Sequence, residues 1–566
     1  MAPIDSTPAP LRLERSGGTL ERRKGVYIAQ LRGSYSEMGR QHGELAAAAC
    51  GDIVPQYVNQ LVRKLVAHTL PSVAAPAAAL LKAWFQLRNR EELGADMREQ
   101  LAALAAAHGF PSAMAERLFM VPDIFHYLAG RSFAALAPPP SCSAFFAHGG
   151  ATRDGKLLIA RNFDFFGRGV WNANNAFIVM HPRGGRSFCW VGALGVPASG
   201  QGFNESGLFV GLHSNFPNDV STRGVPIFKI VHDILAECAT LDEAVARVTV
   251  RPRTCGLSLF IVDTRARDAA VVGYSARHAE TLRPENEVLV RANHYVTPPM
   301  QRFEVGPHPW RANSVGRMRR ITELLGERRG ALDAGGAPSI LSDIVDPFEG
   351  RRVLVGNVVA APHNVQSLVM SPDEDTVWLA HGDLPLCHSE RYRGFSVSAL
   401  LEGDESRYET GDLSGGGQLS ETERAALLEY EEAWSSYMDH LDYDRAVFHL
   451  RRGAELTPEE SVFPRMAGIL LLKEKRFSQA LPLLLRNAEH EHRDPVNRAE
   501  AHVWAGRCLD LMGRRAEALA QYDTASKLDA PPVSAAAARH LEKPFRRMDL
   551  FHVMPEFMLG TGLAKY

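Results

Sequence analysis

Apolar residues along the chain fall into three rhythms. Val26–Leu31 is a short apolar run of strand type, and after it apolar positions recur at helical spacing over Tyr57–Leu70, Pro76–Leu87 and Met97–His108. Pro76 suits a first helical turn, where no backbone N–H is needed. Ala135–Pro140 interrupts regular structure directly before Ser141 and Cys142. From Cys142 to about residue 400 the period shortens to two, and predicts strands over Lys156–Arg161, Ala176–His181, Ser187–Gly192, Leu208–His213, Leu257–Asp263, Ala269–Tyr274, Glu287–Val290, Gln366–Met370 and Thr376–Ala380. Helices are expected at Phe228–Glu237, at Leu241–Val248 behind a Thr240/Glu243 capping box, and near Ser314–Leu325. Strands that outnumber helices and come in runs predict an antiparallel sheet pair with helices packed outside, an α+β architecture.

After residue 420 the rhythm is helical throughout, opened by a Ser420/Glu423 capping box. Three blocks align there on Ala446, Ala480 and Ala518, spaced 34 and 38 residues apart, and on Pro458, Pro495 and Pro531. A small residue at a helix crossing, repeating near 34 residues, is a tetratricopeptide-like signature, with a generic helical bundle as the alternative. The expected organisation is a flexible tail over 1–24, an upstream segment over 25–141, a strand-rich catalytic segment over 142–400, a linker over 401–419, three tetratricopeptide-like repeats over 420–545 and a C-terminal tail over 546–566. The linker expectation rests on the acids and the Gly415–Gly417 run.

Composition narrows the function classes. The chain has 566 residues, enough for several domains, with 45% hydrophobic and 23% charged residues and a net charge of −2. That balance gives no global attraction to nucleic acid or to anionic membrane, so neither is an expected partner. The polar start and the short, Ala-rich apolar runs predict neither a secretory leader nor a membrane span. Seven cysteines without a CxxC pair argue against a disulfide framework and a thiolate zinc site, and fit a reducing cytoplasm. No metal or other cofactor is expected. His42 and Glu44 are read as part of a helix start packing on the sheet rather than as metal ligands.

The chemistry concentrates at Cys142. A short strand from Ser141, the turn Arg153-Asp154-Gly155 and a returning strand through Arg161, Asn162 and Asp164 make a hairpin that brings a cation and a carboxylate back beside the thiol. A thiol in that setting can be deprotonated and its partners oriented. Taken alone, the same residues also fit a buried cysteine with a surface ion pair.

The run from Cys142 to Phe165 resembles the first hairpin of the cysteine N-terminal-nucleophile (Ntn) hydrolases: the choloylglycine hydrolases and penicillin V acylases, the acid-ceramidase-like amidases and the isopenicillin-N acyltransferase (peptidase C45-like) family. Their pattern is Cys, a turn, then Arg-Asn-x-Asp, matched by Cys142, Arg161, Asn162 and Asp164. Asn204-Glu205-Ser206-Gly207-Leu208, the strand end His213-Ser214-Asn215-Phe216-Pro217, the Asn293-bearing segment, and the Ser314…Arg317 pair resemble further elements of these families. The upstream Gly33–Glu44 segment resembles the opening of the isopenicillin-N acyltransferase group. The resemblance covers about residues 25–390, and the helical repeats lie outside it.

The resemblance implies an αββα Ntn-hydrolase sandwich followed by an all-α repeat domain, and self-cleavage between Ser141 and Cys142. Cys142 would then be the nucleophile, with its own freed α-amine as base. Asp164 would orient that amine, Arg161 would lower the thiol pKa, and Asn293 would donate to the oxyanion. A backbone N–H within His213, Ser214 and Asn215 would be the second donor. The implied activity is hydrolysis of a small linear N-acyl amide through a thioester. The alternatives are acyl transfer to an amine or thiol acceptor, and a non-catalytic scaffold whose repeats bind a protein partner or a second copy. Trp171, Trp190 and Phe163–Phe166 are candidates to line an acyl pocket.

Overall fold

The computed structural model describes residues 10–67, 74–131, 141–165, 167–306, 308–417 and 419–564. The expected break at Ala135–Pro140 lies outside these. The chain forms two compact units, and they do not divide at one point in the sequence. The first holds residues up to 306 with 321–342 and 364–417; the second holds 308–320, 343–363 and the helical C-terminal region. The expected single span of 142–400 is therefore interrupted twice by segments that pack with the C-terminal helices.

The first unit is built on a ten-stranded and a seven-stranded sheet. The ladders between their strands are antiparallel except for Val26–Gly33, which pairs in parallel with Asn175–Pro182. Parallel pairing demands a crossover, and the helices between residues 35 and 130 supply it. Period-two alternation sorts the side chains. Phe177, Val179, Val191, Phe209, Phe260 and Val262 face inward, against Ala144, Phe146, Ile159, Leu368, Met370 and Val377 of the seven-stranded sheet. Ile178, Trp190, Val210, Leu259 and Ile261 face the other way, onto Met38, Leu45, Leu101, Leu104, Ile230 and Ile234 of the covering helices. The result is the mixed α/β layering that the strand and helix patterns predict.

Boundaries follow the patterns closely where the pattern is apolar. Leu257–Asp263 and Thr376–Ala380 are strands over those same residues, and the expected Lys156–Arg161 strand extends to Gly155–Asp164. Thr240 accepts from the backbone N–H of Glu243, whose carboxylate turns to Ala239 N, so the capping box is one-sided.

Two segments read as loose are ordered. Leu11–Arg15, within the expected tail, is an edge strand of the ten-stranded sheet, and Gly18–Arg23 pairs between it and Val26–Gly33. Their charges conceal the alternation, because Glu21 is buried and accepts from Arg12 (2.8 Å) and Arg23 (2.6 Å). The expected 401–419 linker is also structured. Leu413–Ser414 pairs with Arg391–Ser396, and Asp412 is ion-paired to Lys24 (2.7 Å) and Arg393 (2.9 Å). Its acids are partners in a sheet edge rather than solvated spacers.

In the second unit the helices run as antiparallel pairs: Glu421–His440 with Tyr443–Leu456, Val462–Lys473 with Phe477–Ala488, and Pro495–Leu511 with Arg515–Ser526, then Val533–Glu542. Ser420 and Glu423 form a full capping box. Ala446, Ala480 and Ala518 are fully buried on the second helix of each pair. Gly468 and Gly506 let the second and third pairs close, since a Cβ there would sit 2.6 Å from Leu484 Cδ2 and from Tyr522 Cε1. The expected C-terminal tail is instead a small hairpin, Met554–Glu556 with Thr561–Leu563. Phe557 is buried among Tyr430, Trp434 and Tyr437, and Tyr430 Oη donates to Phe557 O at 2.6 Å. No helix among the described residues is long and apolar enough to cross a membrane.

Candidate active site

Cys142 lies one residue into the strand Ser141–Gly149, which pairs with Gly155–Asp164. The register sets Cys142 opposite Phe163, Ala144 opposite Arg161, and Ser141 opposite Asp164. Since side chains two apart share a face, Cys142 and Arg161 point together toward the ten-stranded sheet. Asp164 points the other way, beside Ser141. The hairpin thus puts the cation on the thiol side of residue 142 and the carboxylate on the side of its backbone nitrogen.

Arg161 is buried, and its guanidinium forks three ways. Nη2 donates to Cys142 Sγ (3.2 Å) and Leu212 O (2.6 Å), and Nη1 donates to Gln201 Oε1 (2.8 Å). Burial lowers its pKa, while Cys142 and Asp164 act to raise it. Gly211 makes the crossing possible, because a Cβ there would stand 3.0 Å from Arg161 Cδ and Nε. On the other face, Asp164 Oδ1 accepts from Asn364 Nδ2 at 2.8 Å.

Asn293 follows the strand Val288–Arg291, which pairs with the Cys142 strand on its free edge. Its Oδ1 accepts from the backbone N–H of Cys142 (2.8 Å), and its Nδ2 donates to Ser214 O (3.1 Å). His213 and Ser214 end the strand Leu208–Ser214, and Asn215 opens the turn after it. All three are buried. Asn215 Oδ1 accepts from Ser258 Oγ (2.8 Å), which in turn accepts from Arg291 Nη2 (2.7 Å). Cys142, Arg161, Asn293 and Ser214 are thus brought together across the two sheets, with Asp164 on the opposite face of the hairpin beside Ser141.

A cavity of about 130 Å³ opens beside this cluster. Arg161, Gln201, Ser214, Gln366, His126 and Ser199 form its polar part, and the rest of its wall is mostly apolar, including Leu61, Leu118, Phe125, Phe163, Phe165 and Trp171. Of the aromatic candidates, Phe163, Phe165 and Trp171 line it. Trp190 does not, because it faces the helix layer against Phe188 and His232, and Phe166 lies outside the described residues. His42 and Glu44 turn to separate structural partners: His42 Nε2 accepts from Gly195 N (3.2 Å) and Glu44 from Ser16 Oγ (2.8 Å). Burial pushes His42 down to about 3, so it stays neutral.

Sequence reasoning missed the amides that hold the cluster. Gln201 Nε2 donates to Gln366 Oε1 (2.8 Å), and Gln366 Nε2 donates to Asn175 Oδ1 (2.7 Å) and Gly192 O (2.9 Å). With Asn364 they form a buried polar relay between the sheets. The signal was present: Asn364 and Gln366 interrupt the apolar alternation of a strand buried along its whole length.

Residues 151–382 match the family model described as acyl-coenzyme A:6-aminopenicillanic acid acyl-transferase, an isopenicillin-N acyltransferase-like domain of the Ntn class. The match includes Arg161, Asp164 and Asn293, begins beyond Cys142, and covers less than half of the chain. Among curated proteins, the chain is 22% identical over 362 residues to an uncharacterized protein of Archaeoglobus fulgidus, covering 58% of this chain and 59% of that one. It is 23% identical over 286 residues to protein dcd1B of Dictyostelium discoideum, covering 44% and 50%. The chain thus spans between half and three fifths of the length of these relatives. Among solved structures, a Caenorhabditis elegans N-acylethanolamine-hydrolyzing acid amidase ortholog aligns with a TM-score of 0.28 at 16% identity, over 41% of this chain and 93% of that one. A variant of conjugated bile acid hydrolase from Clostridium perfringens aligns with a TM-score of 0.33 at 12% identity, over 49% and 99%.

Proposed function

We propose that the chain is a precursor that cuts itself between Ser141 and Cys142 and then hydrolyses a linear amide whose acyl group is apolar. The observation that carries this reading is the pair of contacts on one residue: the backbone N–H of Cys142 on Asn293 Oδ1, and its Sγ at 3.2 Å from Arg161 Nη2. A buried backbone N–H needs a partner at any residue, but a structural cysteine has no need of a side-chain amide there together with a buried guanidinium on its sulfur.

In maturation, Sγ attacks the Ser141 carbonyl, the C–N bond to Cys142 breaks and a thioester forms. Water then hydrolyses the thioester, leaving a Ser141 carboxylate, a free thiol and a free α-amine. An α-amine with a pKa of about 7.7–8.0 serves as general base near neutral pH. In turnover that amine takes the thiol proton, Sγ attacks the substrate carbonyl, and the proton passes to the leaving amine. Asn293 Nδ2 and a backbone N–H in the His213–Asn215 stretch stabilise the oxyanion, a contribution of about 2.7–4 kcal/mol per donor. Asp164, on the backbone side of residue 142, holds the amine.

Acyl transfer is the second reading, favoured by the acyltransferase description of the matching family model. It differs only in whether an amine or thiol replaces water at the second thioester. The helical region, read as tetratricopeptide-like repeats, would serve as a docking or self-association surface. On a denaturing gel, mature protein runs as two pieces near one quarter and three quarters of the chain, and Cys142→Ala runs intact. Mass spectrometry of products from a panel of N-acyl amides, with and without hydroxylamine as acceptor, separates hydrolysis from transfer. A single full-length wild-type band without amide cleavage defeats both readings.

A further inference from the structure

The second unit contains a cavity of its own, about 280 Å³, and none of its lining residues lines the cavity beside Cys142. One side of it is the start of the helix Val462–Lys473. Arg465, in the first turn, lines the cavity and is only 5% exposed, and among the described residues no hydrogen bond or ion pair reaches its guanidinium. A buried guanidinium without a hydrogen-bonded anion is costly, and of the wall's carboxylates Glu460 feels its charge. The helix adds to the demand for negative charge, because its N-cap Ser461, also in the cavity wall, accepts no capping hydrogen bond with its side chain. This corner of the cavity is built for an anion.

The rest of the wall is acidic in balance: Asp346, Glu349, Glu460, Asp494 and Glu500 line it, with Arg311 and Arg351 among them. Two of these carboxylates are already satisfied. Glu349 is held at about 2, against its burial, by His492, by Asn497 Nδ2 (2.8 Å) and by the N–H of Arg493 (2.8 Å). Asp346 takes four donors from Phe348, Glu349 and Asn357. Glu460 and Asp494 are poorer. Each accepts one backbone N–H, from Leu354 and Val496 respectively, and burial pushes Glu460 up to about 7 and Asp494 up to about 6. A nearby ammonium would return both to the ionised state.

A simple anion would satisfy Arg465 but be repelled by the carboxylates, and a simple amine would do the reverse. We propose that this cavity binds a compact zwitterion of the α-amino-acid class, with its carboxylate on Arg465 and its ammonium beside Glu460 and Asp494. The apolar lining from Val315, Phe348, Val353, Val355 and Leu559 leaves room for an uncharged side chain. The site does not depend on the reading of Cys142 as a nucleophile.

Isothermal titration of the full-length chain with each of the twenty L-α-amino acids tests this. The expected result is saturable one-site binding of at least one uncharged amino acid. Its deaminated acid and its decarboxylated amine bind at least about tenfold more weakly, as expected when one member of a buried charge pair is missing. Arg465→Gln is expected to weaken binding by about tenfold or more. Glu460→Gln, which keeps the acceptor for Leu354 N, weakens it without disturbing the fold. Far-UV circular dichroism reports folding, and where Arg465→Gln is misfolded the Glu460→Gln titration decides. A panel without binding overturns the proposal. So does an acid or amine that binds as tightly as the amino acid, or binding left unchanged by both variants.

Discussion

The sharpest test of the site is the removal of the Arg161 cation. Arg161→Met keeps the length of the side chain and deletes the guanidinium. The variant leaves Leu212 O and Gln201 Oε1 without their donor, at a cost of about 1–3 kcal/mol for each orphaned buried acceptor. It also relieves the burial of a charge, so the net loss of stability is expected to be smaller than that sum. The effect on the thiol is larger. A cation within hydrogen-bond reach lowers the pKa of an acidic group by about 1–3 units, and an unperturbed thiol titrates at about 8.5. At neutral pH its removal leaves about eightfold to thirtyfold less thiolate, the upper limit being set by near-complete ionisation of the wild-type thiol. The assay is the pH dependence of iodoacetamide alkylation at Cys142, followed by peptide mass in protein matured as purified. Cys50, half-buried and pushed up to about 11 by burial, serves as the slow internal reference. Wild-type Cys142 is expected to titrate well below about 8.5, and Arg161→Met to move it to that value or higher. If wild-type Cys142 already titrates at or above it and the variant leaves it there, Arg161 does not activate the thiol and the proposed chemistry loses its basis.

Four further outcomes follow from the same geometry. Gly211→Ala drives a Cβ against Arg161, so it should cost about 1–3 kcal/mol by overpacking and slow maturation on a time-resolved gel more than it lowers the melting temperature. Asn293→Asp should block or slow maturation, since the Nδ2 donor to Ser214 is lost and a carboxylate sits beside the attacked carbonyl; intact precursor on the gel checks it. Asp123 is fully buried, and burial pushes it up to about 7 although it accepts from Thr254 and from Ile227 N. With the folded pKa raised, its stabilising contribution is full below the unfolded value of about 3.9 and is lost as pH rises through about 7. Asp123→Asn should therefore flatten the fall in melting temperature between those limits and be the more stable protein at pH 8. Truncation after residue 552 removes Phe557, Met558 and Leu559, each buried, and at about 1.5–3 kcal/mol per side chain should destabilise the helical unit by several kcal/mol in urea denaturation.

Legibility in the sequence followed burial. Strands buried on both faces, such as Leu257–Asp263 and Thr376–Ala380, announce themselves, because every position that packs must be apolar. Leu11–Arg15, Gly18–Arg23 and Leu413–Ser414 do not. They lie at or next to a sheet edge and their outer positions carry charge, and an ion pair there looks in sequence like a solvated loop. The site was legible for a different reason. Cys142, Arg161 and Asp164 lie in one hairpin, so local spacing brings them together, whereas Asn293 could be named only by resemblance. Asn364 and Gln366 stand out as polar residues in a buried strand, but what they and Gln201 meet across the two sheets is recorded by no local period. The same holds for residues 308–320 and 343–363, which pack with helices more than fifty residues further along.

The proposed cleavage has a structural consequence. It severs the chain at the end of a central strand, yet the upstream piece is not a removable propeptide. Val26–Gly33 is hydrogen-bonded along its length to Asn175–Pro182, inside the ten-stranded sheet, with Gly18–Arg23 and then the edge strand Leu11–Arg15 beyond it. Leu45, Leu101 and Leu104 complete the core on the outer face of that sheet. Val58, Leu61, Leu118, Val121 and Phe125 form one wall of the cavity beside Cys142. Removing the upstream piece would expose the sheet and open the cavity to water, and a thioester in an open cavity is no longer held against its oxyanion donors. The cut therefore frees one amine and little else. On that proposal its chemical product would be a base placed on the nucleophile itself, and the two pieces would remain one folded unit.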